Sequence, residues 1–433
     1  MNLVHHLGRF SWAVAARTLP LVNGFLLILF VIPALPVAEF GKYSIIFAIA
    51  MQIIFVNKSL VLNPMIKFAA EPGRLETMAR TGFWLNGILY LCAGLIIWSL
   101  SPLLSKILQV QTRDILLAIA FLPLFFIRDW SFCVQQTLYR MRRLFLLDAV
   151  YFLGSSAGYI YLWHTNRITQ AADILYINFL AALVSSLVAL ITGSGVKTIF
   201  MSVKWRDIKQ ILQYGYWTLK IGLFSSLLSG ADSLILGAIY NPAIVGVYSG
   251  AKKVYQIVSA FTAAIGVLVM PYASRLASDG RVPEVRALYE KAVGYTTVGL
   301  VSFALFMGLA ADYFFAIFMG QNYQGSAPLL RLMMLGAPFE GLFVTAGTLL
   351  YGIGAANAAA VVSGYGLLIL CILLPLGAYF GAGFGAAGAV GLTLAIAGIW
   401  MFRRASTIID SSLGAIAARI SIAVKTLLAV RNR

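Results

Sequence analysis

Phe40-Gly41-Lys42-Tyr43-Ser44 and, 205 positions later, Val245-Gly246-Val247-Tyr248-Ser249 are the stretches on which the fold turns. Each opens an apolar run. Each run then closes on a proline, in Asn63-Pro64-Met65 and in Met270-Pro271-Tyr272, with a charged loop after it. A match in order as well as in residue type points to duplication of a larger unit. The runs exceed the roughly 20 apolar residues that a helix needs to cross a hydrocarbon core of about 30 Å, so the duplicated unit is a set of membrane helices.

The rest of the 433-residue chain agrees. Hydrophobic residues make up 61% and charged residues 11%. Mean hydropathy is +0.89. These values exclude an ordinary soluble domain. A hydropathy window finds twelve spans, at about 12–36, 42–66, 81–104, 114–138, 144–164 and 171–192, then at about 214–240, 244–271, 290–311, 326–351, 357–380 and 383–402. The first is too long for the apolar core of a signal peptide and reads as a span. Six spans per copy is an even number, so both copies enter the membrane from the same face, and the repeat is parallel, about an axis along the membrane normal. The expected fold is therefore an all-α integral membrane protein, with about twelve transmembrane helices in two parallel six-helix lobes around a central cavity. Residues 1–195 form the first lobe, 196–213 a linker, 214–402 the second lobe and 403–433 a basic tail. Lys204, Arg206 and Lys209 alternate with Val203, Trp205, Ile208 and Leu212 at helical spacing, which suggests a linker helix lying on the membrane surface, and the tail has similar character.

Charge placement gives orientation. With the N-terminus inside, the inner loops and tails hold 21 of the 32 Lys and Arg, from Arg9 through Arg80 and Arg140 to Arg433, and the outer loops hold four: Lys42, Lys106, Arg113 and Arg167. The positive-inside rule places both termini in the cytoplasm and accounts for most of the +17 net charge without nucleic acid. Cys92, Cys133 and Cys371 stand alone in apolar runs, and His5, His6 and His164 lie beside no Ser, Cys or carboxylate at a useful spacing. No catalytic constellation emerges, so an enzyme is not expected, and no cofactor or metal either.

The remaining seven cations fall inside spans: Arg17, Lys58, Arg128, Lys220, Lys252, Lys253 and Arg331. Each would cost about 2.5–3.5 kcal/mol at a bilayer centre on insertion scales, so the set is not expected to face lipid. Periodicity sorts them. Lys252 shares a helix face with Ser249, Gln256 and Ser259, a polar stripe. Lys253, turned by 100°, shares a face with Ile257 and Ala260, which suits a structural or snorkelling role. Arg128 lies deep in its span, with Ser131 and Gln135 extending its face; it serves either a cavity or an ion pair with another helix. Lys58 sits beside Asn57 and Ser59. Arg17 and Lys220 occupy comparable inner depths and either form an anion gate or snorkel to headgroups, as Arg331 does at the outer end. Asp129 and Asp232 are the intramembrane acids singled out, either for binding a proton or sodium ion or for pairing with a nearby cation. Pro20, Pro33, Pro36, Pro123 and Pro338 interrupt the spans, and the Gly381 to Gly388 region offers close helix contact.

Several ordered motifs carry a resemblance. The stretch Gly230-Ala231-Asp232-Ser233-Leu234-Ile235-Leu236-Gly237, followed by Val245 to Ala251 and Met270-Pro271, resembles the start of the second half of Wzx-type polysaccharide flippases. These belong to the multidrug, oligosaccharidyl-lipid and polysaccharide exporter superfamily. Phe318-Met319-Gly320-Gln321-Asn322-Tyr323 with Ala327 and Leu329-Leu330-Arg331, Tyr351-Gly352-Ile353-Gly354, and Tyr379 to Ala389 are similar to later parts of that family, and Phe40 to Ser44 to its first half. The resemblance implies a bacterial inner-membrane flippase for undecaprenyl-pyrophosphate-linked oligosaccharide, serving O-antigen, capsule or exopolysaccharide synthesis, with a polymerase and chain-length regulator as further partners. On that reading Lys252, Arg128, Lys58, Arg17 and Lys220 line a cationic cavity and Ser249, Gln256, Ser259 and Gln135 supply its polar walls. Asp129 and Asp232 then offer coupling to a proton or sodium gradient. The alternatives are a multidrug or small-molecule exporter on the same fold, whose cavity should be acidic or aromatic, a membrane polymerase or ligase, which should carry a long outer loop, and a noncatalytic scaffold, which leaves the buried charges unexplained.

Overall fold

The computed structural model describes residues 3–138, 140–192, 201–412, 414–419 and 421, and among them the regular structure is helical without a strand. Each of the twelve expected spans falls on a helix. Seven helices are long and apolar enough to cross a membrane, and nine if each of two bent pairs counts as one span. The chain divides into two compact units, Met1–Ser249 and Gly250–Arg433.

In the first unit, α1 (Leu3–Leu26) continues into a π-helical turn, Leu27–Val31. Next, α2 (Val37–Asn57), a second π-turn (Lys58–Leu62) and α3 (Asn63–Ala69) form one apolar run of 33 residues. Proline explains that second turn. Pro64 has no N–H, and its ring would clash with the carbonyl four residues earlier in a regular α-helix. The wider turn shifts the bonding, and the N–H of Asn63 reaches the Lys58 carbonyl. In that register the Ser59 carbonyl would look to Pro64 for a donor that does not exist. The Thr218 hydroxyl donates to it instead, at 2.6 Å, from a neighbouring helix.

Four more helices complete the predicted first lobe: α4 (Leu75–Leu108), α5 (Thr112–Thr137), α6 (Met141–His164) and α7 (Ala171–Thr192). The carboxylate of Glu39, paired with Lys42 at 2.6 Å, accepts the backbone N–H of Ala171 at the start of α7. Arg80, expected in a loop, lies buried inside α4 because that helix begins five residues earlier.

The linker differs from expectation. Helix α8 spans Trp205–Ile239, with a bend of 53° between Leu228 and Gly230, and residues 205–213 are its first turns and not a separate surface helix, while Lys197 lies outside the described residues. The fusion has a cause in the contacts. Arg74 donates to Asp207 at 3.3 Å and to Gln210 at 2.7 Å, Lys67 sits 3.7 Å from the Tyr214 ring centre, and Ile211 is fully buried, which holds this end of α8 against the first unit. Helix α9 (Pro242–Ser278) begins in this unit. Its first turn meets α2 at the two pentapeptides. A Cβ on Gly41 would strike the Pro242 carbonyl, and a Cβ on Gly246 would strike the Val37 carbonyl. Pro242 and Val37 each lie four residues before the glycine of their own helix, so the contact is reciprocal.

In the second unit, α9 is followed by α10 (Val282–Phe318), a 3-10 turn (Gln321–Tyr323), α11 (Ser326–Met334), α12 (Ala337–Gly352) and α13 (Ala356–Ile409). At 37 residues, α10 is about 55 Å long, which carries its charged start beyond a bilayer core of about 30 Å. The α11–α12 pair bends by 44°, at the glycine and proline positions Gly336 and Pro338. Helix α13 breaks at Gly381 and Ala382, where Ala382 takes φ +46°, a backbone region costly for a residue with a side chain. The two arms fold back on each other. Gly377 and Gly385 face each other's carbonyls so closely that neither could carry a Cβ, so the predicted spans 357–380 and 383–402 form one tight hairpin. The core of this unit joins Ala273, Tyr289, Val293, Leu349, Met401 and Ile416. Ile416 belongs to the tail, whose first turns are docked: Arg419 lies 3.6 Å from Glu290, Ser411 donates to the same carboxylate, and Arg286 pairs with Asp410.

Candidate functional site: charges within the membrane helices

Arg128 is not an open anion site. Its guanidinium is buried, donates to Asp129 at 3.1 Å and to Asp148 at 2.5 Å, and reaches the Ser185 hydroxyl at 3.2 Å. The rings of Tyr151 and Phe125 lie 4.9 and 5.7 Å from it. Two carboxylates and a hydroxyl take one donor from each guanidinium nitrogen, and two aromatic faces lie beside it. Of the two readings left open for Arg128, the contacts favour the ion pair with another helix, made with α5, α6 and α7 of its own unit. Asp129 is a partner of this guanidinium, the alternative that its sequence position left open beside ion coupling. Gln135, two turns further along α5, is fully buried.

Lys58 has a different setting. It is half-buried at the head of the π-turn, makes no ion pair among the described residues, and stands 5.6 Å from the Phe132 ring centre. Beside it, Asn57 donates to the Asn86 carbonyl and Asn86 to the Phe126 carbonyl, both at 3.2 Å, and the side-chain oxygens of both asparagines are buried with no hydrogen-bond partner. The side chains of Arg17 and Lys220 lie outside the described residues.

The polar stripe on α9 does not keep one environment. Ser249 is buried, Lys252 and Ser259 are half-buried and Gln256 is exposed. Gln256 accepts from Lys253 at 3.3 Å, so it belongs with the lysine that periodicity had set aside, a contact between positions three apart on a helix. Facing this stretch is a carboxylate that sequence reading passed over. Glu340, on α12, accepts from Tyr255 at 2.7 Å, also interacts with Ser259 by a hydrogen bond, and feels the charge of Lys252. It stands alone as an acid in the tenth predicted span, and that was the available signal. Asp232, on α8, accepts from Tyr248 at 2.7 Å and from the Ser233 backbone N–H at 2.8 Å. Arg331, on α11, is exposed, pairs with Asp312 and donates to the Gly308 carbonyl, both on α10.

Long apolar helices that enclose paired and hydroxyl-bound charges define a multi-pass membrane protein. In fold the chain is similar to the lipid II flippase MurJ in an inward closed conformation, at TM-score 0.76 and 11% identity, over 98% of this chain and 92% of that one. It is also similar to an inward-facing multidrug resistance transporter of the MATE family, at 0.72 and 13%, over 92% and 98%. A Pyrococcus furiosus transporter of the MOP superfamily, described as having a binding pocket of reverse polarity, matches at 0.63 and 14%, over 92% and 94%. No curated protein matches the chain by sequence. The family model for polysaccharide biosynthesis proteins matches residues 34–328, and the chain belongs to that family.

Proposed function

We propose that this protein is a flippase that moves an undecaprenyl-pyrophosphate-linked oligosaccharide from the inner to the outer leaflet of a bacterial inner membrane, by alternating access. One observation carries the reading: Lys58 stands at membrane depth with no ion pair among the described residues. Arg128, by contrast, is enclosed by Asp129 and Asp148. A cation held at that depth without a counterion is repaid by an anion that must itself leave water, and a pyrophosphate linker is such an anion. A cationic drug is not. The family's place in polysaccharide biosynthesis and the likeness to a flippase for a lipid-linked sugar support the same substrate class.

On this reading Lys58, Lys252 and Lys253 bind the linker, with Ser249 and Ser259 nearby, and Arg17 and Lys220 receive it at the inner side. Coupling to a proton or sodium gradient would use Glu340 or Asp232, the acids held by tyrosine hydroxyls. The product would pass to a polymerase and chain-length regulator for O-antigen, capsule or exopolysaccharide assembly, with both termini of the flippase cytoplasmic. The test is complementation of a strain lacking the transporter, following lipid-linked glycan in each leaflet and polymer at the surface. Lys58→Ala with Lys252→Ala and Lys253→Ala should trap glycan on the inner leaflet at normal protein levels. Normal export by the triple variant, or efflux of cationic dyes by the parent protein in place of glycan export, would overturn the proposal.

A further inference from the structure

A groove of about 430 Å³ opens on the second unit where α13 begins and ends, lined by Ala355, Asn357, Ala358, Val361, Val362, Trp400 and Arg404. Because α13 is a hairpin, its first turns and its last turns meet there. Arg404 lies one helical turn beyond Trp400 on the same face, so the cation and the indole line the groove side by side. Trp400 packs against Tyr365 with ring centres 5.1 Å apart, and Val361 and Val362 continue the apolar wall inward.

Arg404 differs from the paired arginines of this unit, in which Arg286 is paired with Asp410, Arg419 with Glu290 and Arg281 with Glu284. Arg404 makes no ion pair among the described residues, and neither does its neighbour Arg403, which is turned by about 100° and does not line the groove. An unneutralised cation and an amide over an aromatic and aliphatic trough match one ligand: a phosphate attached to a hydrocarbon chain. Tryptophan and arginine side by side also mark the depth at which headgroups lie.

We propose that this groove binds one anionic glycerophospholipid of the leaflet on the basic side, its phosphate at Arg404 and Asn357 and the upper part of an acyl chain along Val361, Val362 and Trp400. The site is independent of the transported substrate. Full-length protein in detergent would be titrated with phosphatidylglycerol and with phosphatidylcholine and read by native mass spectrometry, with thermal unfolding as a check that each variant is folded. One phosphatidylglycerol should bind in preference to phosphatidylcholine, and Arg404→Ala should weaken it about fivefold. Arg403→Ala, which removes the same charge one residue away, should leave it unchanged. Equal losses in the two variants, or no preference between the two lipids, would reduce the site to general surface attraction and overturn the proposal. Stoichiometric displacement of phosphatidylglycerol by undecaprenyl pyrophosphate would also overturn it, by assigning the groove to the transported lipid.

Discussion

Replacing Arg128 with alanine should damage the fold before it damages transport. The substitution strips Asp129 and Asp148 of their common partner, leaves Ser185 without its donor contact, and removes the plane that lies over Tyr151. Removing one member of a buried ion pair costs about 3–5 kcal/mol, because the remaining charge stays buried and uncompensated. Here two carboxylates are stranded, so the upper part of that range applies, against a total stability of about 5–15 kcal/mol for a typical domain. Arg128→Ala should therefore show lower yield and a melting temperature in detergent depressed by many degrees. The paired test is the triple variant Arg128→Met, Asp129→Asn, Asp148→Asn, in which no charge is left to strand. It should recover most of the lost stability and export glycan at a substantial rate. If Arg128→Ala melts like the parent yet exports nothing, and the stable triple variant is equally inactive, the guanidinium acts on the substrate and the structural account fails.

Other outcomes follow from single contacts. Gly41→Ala places a methyl group against the Pro242 main chain and should cost about 1–3 kcal/mol or more, whereas Gly24→Ala, with open space around it, should match or exceed the parent melting temperature. Thr218→Val removes the donor to the Ser59 carbonyl and should cost about 1–3 kcal/mol, with Thr218→Ser restoring most of it in the same melting assay. Lys58→Ala should leave melting nearly unchanged and weaken capture of the lipid-linked glycan about ten- to hundredfold, the worth of a charge-assisted contact, as read by inner-leaflet accumulation. Glu290→Ala frees Arg419 and Ser411, so limited trypsin digestion should cut at Arg419 several-fold faster.

The twelve spans were legible because lipid leaves a chain little choice: any crossing segment must bond its own backbone and show apolar side chains, and both demands are local. The pairing of charges was not legible, since it is decided by which helices become neighbours. Asp148 is twenty residues from Arg128 and on the next helix, and nothing in either segment announces the other. Periodicity assigned Gln256 to Lys252 because it counts turns of an ideal helix, while the long side chain of Lys253 reaches across to take that amide instead. Helix ends failed for a further reason. A hydropathy window sees the hydrocarbon, and helices such as α4 and α8 continue past it into polar surroundings, so the window leaves Arg80 in a loop and makes the linker a separate surface helix.

The crossing of Gly41 and Gly246 is reciprocal, each residue occupying the same place against the other's helix. Around it the two pentapeptides differ, with Phe40 and Lys42 answered by Val245 and Val247. The glycines are denied that latitude. In a packed core a larger residue on one side is accommodated by a smaller one opposite, but here each obstacle is a peptide carbonyl, which every amino acid carries. No second substitution can make room for the first, and the two positions are fixed by each other's main chain.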